Sequence, residues 1–197
     1  MYGAIYAHSK TESIHNVWLS MARLTRTRWV EEGVAVLRED GARGLAADPM
    51  ARRLGVSRGS FYWHFASALD FEAAVLGEWE EQWTTRVMLA VDAGGNDPKG
   101  RLRSLIEKTG GQDASVFASA KRMARKHPDL NALMRRIDER RLAFVRQILI
   151  AGRVSEADAE LKASIVYSWA MGQMLVSGDD RPVAPDVADA IVNFAFG

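Results

Sequence analysis

The sequence predicts an all-α chain: an N-terminal three-helix helix-turn-helix unit followed by a C-terminal helical bundle. Three observations carry this. Apolar residues recur three and four apart along nearly every segment, and no Asn-Gly or Asp-Gly turn sits between alternating strands. The third is the punctuation. Glycine and proline clusters at Gly94–Pro98, Gly110–Asp113 and Pro128 divide the rest into helix-length pieces.

Composition sets the outer bounds. The 197 residues are 48% hydrophobic and 26% charged, the range of an ordinary globular protein and not of a disordered one. There is no cysteine, which excludes disulfides, thiolate zinc sites and a cysteine nucleophile. That absence suits a cytoplasmic protein. No apolar run approaches the length of a membrane span, and residues 4–7 are interrupted too soon to form a signal sequence. Residues 1–20 are read as a flexible extension, with Met21 a sensible alternative start. Net charge is +1, but residues 1–65 hold nine Lys/Arg against six Asp/Glu, so positive charge leans toward the N-terminal part.

Taken in order, Arg28 to Glu39 places Val30, Gly33, Val34 and Leu37 on one helix face, ended by Asp40-Gly41. A short helix spans about Asp48 to Leu54 and stops at Gly55; another follows Ser57 to about Phe65. Ser67 caps a long helix through Leu69, Ala73, Leu76, Trp79 and Trp83. Pro98 opens the next helix, and Asp113 caps one that reaches His127. Pro128 begins a long amphipathic helix ending at Gly152, Ser155 starts another, and Pro185 to Phe196 makes the last. The division is therefore 21–66 for the head and 67–197 for the second domain.

The stretch from Gly41 to Phe65, GARGLAADPMARRLGVSRGSFYWHF, carries the function. It reads as helix, glycine turn, helix in about twenty residues. Gly55 reverses the chain, Val56 plugs the gap between the helices, and Ser57 caps the second. Arg58, Gly59 and Ser60 fall on the first turn of that helix, which in a helix-turn-helix protein reaches base edges in the major groove. A guanidinium pairs bidentately with guanine, a small hydroxyl meets several bases, and Gly59 removes bulk. Tyr62 and His64 are placed to donate to phosphate. Trp63 faces DNA or only covers the surface. Phe61 and Phe65, four apart, belong inside. For Asp48-Pro49 two readings stand: Asp48 caps a shortened helix with Pro49 as its first residue, or Ala46 caps it poorly.

The run LGVSRGSFYWHF at 54–65, preceded by an amphipathic helix and Asp40-Gly41, resembles the DNA-binding head of TetR-family repressors. The resemblance covers about residues 27–76. It implies a homodimer on a palindromic double-stranded operator, with a small-molecule effector in the second domain releasing the DNA. It places Arg58, Gly59 and Ser60 toward bases and Tyr62, Trp63 and His64 at the DNA surface, with Ser57 beside them. Two departures matter. Ala46-Ala47-Asp48-Pro49 stands where the family has Thr and a β-branched residue, and Ala68 where it often has Lys. Fewer phosphate contacts follow, and Arg23, Arg26 and Arg28 are candidates to compensate. The last two long helices are expected to pair across the two-fold through Leu161, Ile165, Trp169, Gly172, Val176, Ile191 and Phe194.

The effector pocket has no motif. Large adaptable side chains nominate Trp79, Trp83, Met123, Met134 and Trp169 as its candidates, against the plainer reading that they are core. The cluster Lys121, Arg122, Arg125, Lys126 reads as a solvated face or as an acidic-ligand site. Catalysis is not expected: the four histidines lack metal or hydrolase spacing, and Ser57 and His64 stand roughly 10 Å apart along one helix. No cofactor, metal or membrane partner is expected. The competing reading is a helical adaptor that dimerises without binding DNA.

Overall fold

The structure, a computed structural model, describes residues 24–109, 114–177 and 182–197. The expectations for the 1–20 extension, the Met21 start, Arg23, the 110–113 break and the Asp113 cap lie outside those residues. Among the described residues every regular element is helical. Helices α1 (Arg26–Glu39), α2 (Ala47–Leu54) and α3 (Arg58–His64) form the head, with a 3₁₀ turn at Gly41–Leu45 after α1. The second part comprises α4 (Ala68–Glu80), α5 (Arg86–Ala93), α6 (Pro98–Thr109), α7 (Ala114–Ala124), α8 (Pro128–Ala151), α9 (Glu156–Ser177) and α10 (Pro185–Phe196).

Local chemistry explains the boundaries. Thr25 Oγ1 accepts from the Arg28 amide and starts α1 two residues before the predicted point. Ser67 Oγ accepts from the Asp70 amide while Asp70 accepts from the Ala66 amide, a reciprocal cap that satisfies two orphan donors. Gly41 (φ 68°) and Gly55 (φ 67°) take the left-handed conformation that ends α1 and α2. At Asp48-Pro49 the second reading holds. Ala46 is the N-cap, without a side-chain bond, and Asp48 lies in the first turn. Ser57 likewise caps α3 by backbone conformation only; its hydroxyl makes no capping bond.

Two features depart from the sequence reading. The helix after Ser67 does not simply run on: residues Glu81–Thr85 form a π-helical turn joining α4 to α5. And α8 ends with its positive φ on Arg153 (67°), not on Gly152. Gly152 is reserved for packing, because a Cβ there would run into the Phe196 ring of α10.

Among the described residues two apolar cores are formed. One joins Trp29, Leu37, Met50, Phe61, Phe65 and Phe71 to Val75, Trp79, Phe117, Met134 and Ile137. It therefore crosses the boundary drawn at residues 66 and 67. The other lies between α6, α8, α9 and α10 around Leu102, Ile148, Ala163 and Val192. Helix α1 meets α4 at Gly33, where an added Cβ would sit 2.5 Å from Val75 Cγ2 and 2.8 Å from Phe71 Cζ. Gly33→Ala should therefore lower the urea midpoint, with a loss of about 1–3 kcal/mol from overpacking; an unchanged midpoint would mean the two helices part freely.

Candidate nucleic-acid interface

The second helix of the turn motif is held from beneath by rings. Phe61 and Phe65 are buried and meet Trp29 edge-on, with centroids 5.5 and 6.3 Å away. Phe71 of α4 completes the set, 5.3 Å from Phe61 and 4.7 Å from Phe65. Such pairs add roughly 0.5–1.5 kcal/mol each beyond area burial, so α3 has one orientation on α1 and α4. Its outer face is left to water. Arg58, Gly59, Tyr62 and Trp63 are exposed, Trp63 by 86%.

Ser60 is a correction. It is only 7% exposed, so its hydroxyl is not on the outer turn with Arg58. Standing directly before Phe61, it turns with the inner face. His64 is half-buried at the end of the helix, its ring 6.4 Å from Trp29 and 6.3 Å from Phe65. Gly59 has only Ser57 Oγ near a notional Cβ, at 3.6 Å, so nothing within the chain requires glycine there.

The cations of the head are largely engaged with acids. Arg58 lies 3.5 Å from Asp48, donates to the Tyr62 hydroxyl at 3.3 Å and stands over the Tyr62 ring. The Tyr62 bond and the Asp48 charge together hold its guanidinium above the ordinary value. Arg28 pairs with Glu31 and Glu32, so it is not a free arm contact in the unbound chain. Arg53 ties α2 to α1 through Glu32 at 2.6 Å and Glu39 at 2.8 Å. Arg26 faces Asp70 and lies over the Phe65 ring.

Away from the head, a cleft partly open to solvent lies between α4–α5, α6, α8 and α9. Trp79 and Trp83 line it. Three other candidates do not. Met123 and Met134 are buried in the core shared with the head, and Trp169 packs on the second core. Sequence reasoning missed Thr84, Arg141 and Tyr167, which supply polar groups to the wall. Arg141 Nε donates to Thr84 Oγ1 at 2.8 Å, and the Tyr167 hydroxyl donates to Asp138 at 2.8 Å. Burial pushes the Tyr167 phenol well above its ordinary value. Asp138 also takes Lys121, so that lysine is neither simply solvated nor open to an acidic ligand. No spacing signal marks these residues, because they converge from elements far apart in the chain.

A two-helix motif with an exposed second helix, packed on a larger helical domain with a cleft, is a helix-turn-helix head joined to a helical bundle. Residues 30–68 match the family model of bacterial regulatory proteins, tetR family. A 55-residue stretch is 38% identical to an uncharacterized HTH-type transcriptional regulator, TtgW, of Pseudomonas putida; it covers 28% of this chain and 41% of the relative. The whole fold is similar to a transcriptional regulator from Rhodococcus sp. Rha1, at TM-score 0.74 and 21% identity over 88% of this chain and 94% of the other. It is also similar to a regulator from Saccharomonospora viridis solved with choline, at TM-score 0.71 and 19% identity over 86% and 92%. Residues 30–68 are thus similar to the tetR-family model, and the fold of the whole chain is similar to those of these solved regulators.

Proposed function

We propose that the protein is a homodimeric, effector-responsive repressor that places α3 of each copy in the major groove of a palindromic operator. The observation that carries this is the division of α3: Phe61 and Phe65 lock it to the body, while Arg58, Gly59, Tyr62 and Trp63 face outward. Arg58 is the base-reading side chain, and Gly59 lets the backbone approach closely. Tyr62 and Trp63 meet the sugar–phosphate edge, with Ser57 and His64 at the margins of the contact. Ser60 supports α3 from behind. Arg28 reaches phosphate only by exchanging its glutamate partners. Simple occlusion of a promoter requires no further surface, which favours repression, and the site of action is the cytoplasm, where the DNA is.

Dimerisation is supported by α9 and α10. Leu161, Ile165, Leu175 and Val176, the last 85% exposed, leave an apolar strip along α9, joined by Val187, Ile191 and Phe194 on α10. Gly172 has nothing within 4 Å of a notional Cβ, leaving an open notch in that strip. An isologous partner helix fills such a notch and removes the strip from water. Trp169, half-buried on the second core, borders it.

Effector response is supported by the path of α4. Phe71 and Val75 belong to the head core, whereas Trp79, and Trp83 on the π turn, line the cleft. An effector that fits only one position of α4 shifts the spacing of the two recognition helices, as differential affinity for two states requires. The choline seen in the Saccharomonospora viridis protein does not transfer readily, because no acid lines the cleft among the described residues.

Titration of the protein against its own upstream DNA and random DNA, over a range of salt, tests the reading. Site-selective binding should weaken with salt and be lost in Arg58→Ala. Asp48→Asn should tighten binding about threefold to tenfold by freeing Arg58 and removing an anion near phosphate; unchanged affinity would mean Asp48 lies off the DNA path. Val176→Arg should convert the dimer to monomer in analytical ultracentrifugation and abolish operator binding, while a dimer that persists would place the interface elsewhere.

A further inference from the structure

We infer that the cleft takes an amphiphilic ligand with an apolar body and one anionic head, a monocarboxylate being the simplest class, received by Arg141; this rests on the effector reading above. The argument begins with the sign of the wall. Among the described residues the wall has one charged side chain, Arg141, and no Asp, Glu, Lys or His. The body of the wall is apolar: Trp83, Val87, Met88, Leu105, Phe144 and Met171 among others. Such a lining, open to solvent on one side, suits the hydrocarbon body of an amphiphile.

The hydroxyl groups of the wall are already engaged. Thr109 donates to the Leu105 carbonyl, Tyr167 donates to Asp138, and Thr84 accepts from Arg141. Asp138, three residues before Arg141 on the same helix, has one oxygen on Lys121 and the other on Tyr167. Arg141 thus keeps its charge half-buried among neutral oxygens, Thr84 on Nε and the Tyr167 phenol beside it, with five N–H donors to satisfy. Among the described residues no carboxylate forms an ion pair with it. The indole N–H groups of Trp79 and Trp83 are also buried without an acceptor. The wall is rich in donors and poor in acceptors.

A carboxylate supplies what is missing. It binds a guanidinium through two parallel bonds, and those bonds strengthen where water is excluded. A cationic ligand fares poorly. It would bring a second positive charge beside Arg141, and the Trp79 face that could hold it is occupied by the Arg141 guanidinium, 4.9 Å from the ring centroid.

The test uses the full chain and three probes that share one tail, each below its micelle threshold: decanoate, decanol and decyltrimethylammonium. Binding is read by quenching or shift of tryptophan fluorescence and by calorimetry. Decanoate should bind at least about ten-fold more tightly than decanol, with the ammonium probe weakest. Arg141→Met should bring decanoate down to the decanol level, and Arg141→Lys should retain part of the preference. Equal affinity for acid and alcohol, preference for the cation, no binding of any probe, or an undiminished preference in Arg141→Met would overturn the assignment. Release of operator DNA is measured in parallel. Release by the neutral or cationic probe would leave the effector reading standing while refuting the ligand class. Selective decanoate binding without any change on DNA would do the reverse.

Discussion

The contact of Trp29 with Phe61, Phe65 and Phe71 is the interaction on which the rest of the molecule depends. These four rings come from α1, α3 with its C-cap, and α4, and each is essentially inaccessible to water. A seven-residue helix such as α3 has no stability of its own. It exists because Phe61 and Phe65 are bound into a ring cluster whose loss would cost several kcal/mol per ring, roughly 3–5 for a truncated phenylalanine. The same contact fixes which side of α3 is outside, and so decides that Arg58, Tyr62 and Trp63 face solvent while Ser60 does not. The buried indole N–H of Trp29, without a partner, is tolerated because the ring contacts around it are so extensive.

Because Phe71 is one of the four rings, the head has no separate core. The cluster continues through Val75 and Trp79 to Phe117, Met134 and Ile137, so the head and the second domain are packed as one body. At Gly33 the side chain is absent and Val75 and Phe71 of α4 take up its space. Ion pairs add direction without much strength: Arg53 between Glu32 and Glu39 is exposed and screened, and its value lies in keeping α2 aligned with α1.

The head was legible because its constraints are local. Gly55 must be left-handed, Ser67 must cap, and Phe61 and Phe65 fall four apart; each follows from a few neighbouring residues. Legibility failed where one residue serves two purposes. Helical spacing alone put Ser60 beside Arg58, but its burial depends on how α3 leans on α1. Gly152 looked like a helix terminator, yet the close approach of Phe196 needs its missing side chain and the left-handed turn passes to Arg153. The cleft was legible only through Trp79 and Trp83. Arg141, Tyr167 and Thr84 carry no motif, and the π turn that brings Thr84 beside Arg141 has no pattern in hydrophobic spacing.

That π turn bears on how the two ends of the molecule communicate. A π turn is a strained insertion in an otherwise α-helical ladder, retained where a side chain must be displaced from its regular position. Here it displaces Trp83 and Thr84 into the cleft at the end of the helix whose other end carries Phe71. Interfaces packed at crystal-like density respond to an inserted ligand by moving elements as wholes, since side chains have little room to absorb the volume. With Thr84 bonded to Arg141, any group that draws the guanidinium toward the lumen also pulls on the π turn. The rigid path from there to the ring cluster is α4, unbroken helix from Phe71 to the start of the π turn. On the proposed effector reading the signal travels as a displacement of one helix, and α3 follows because its own rings are packed against Phe71.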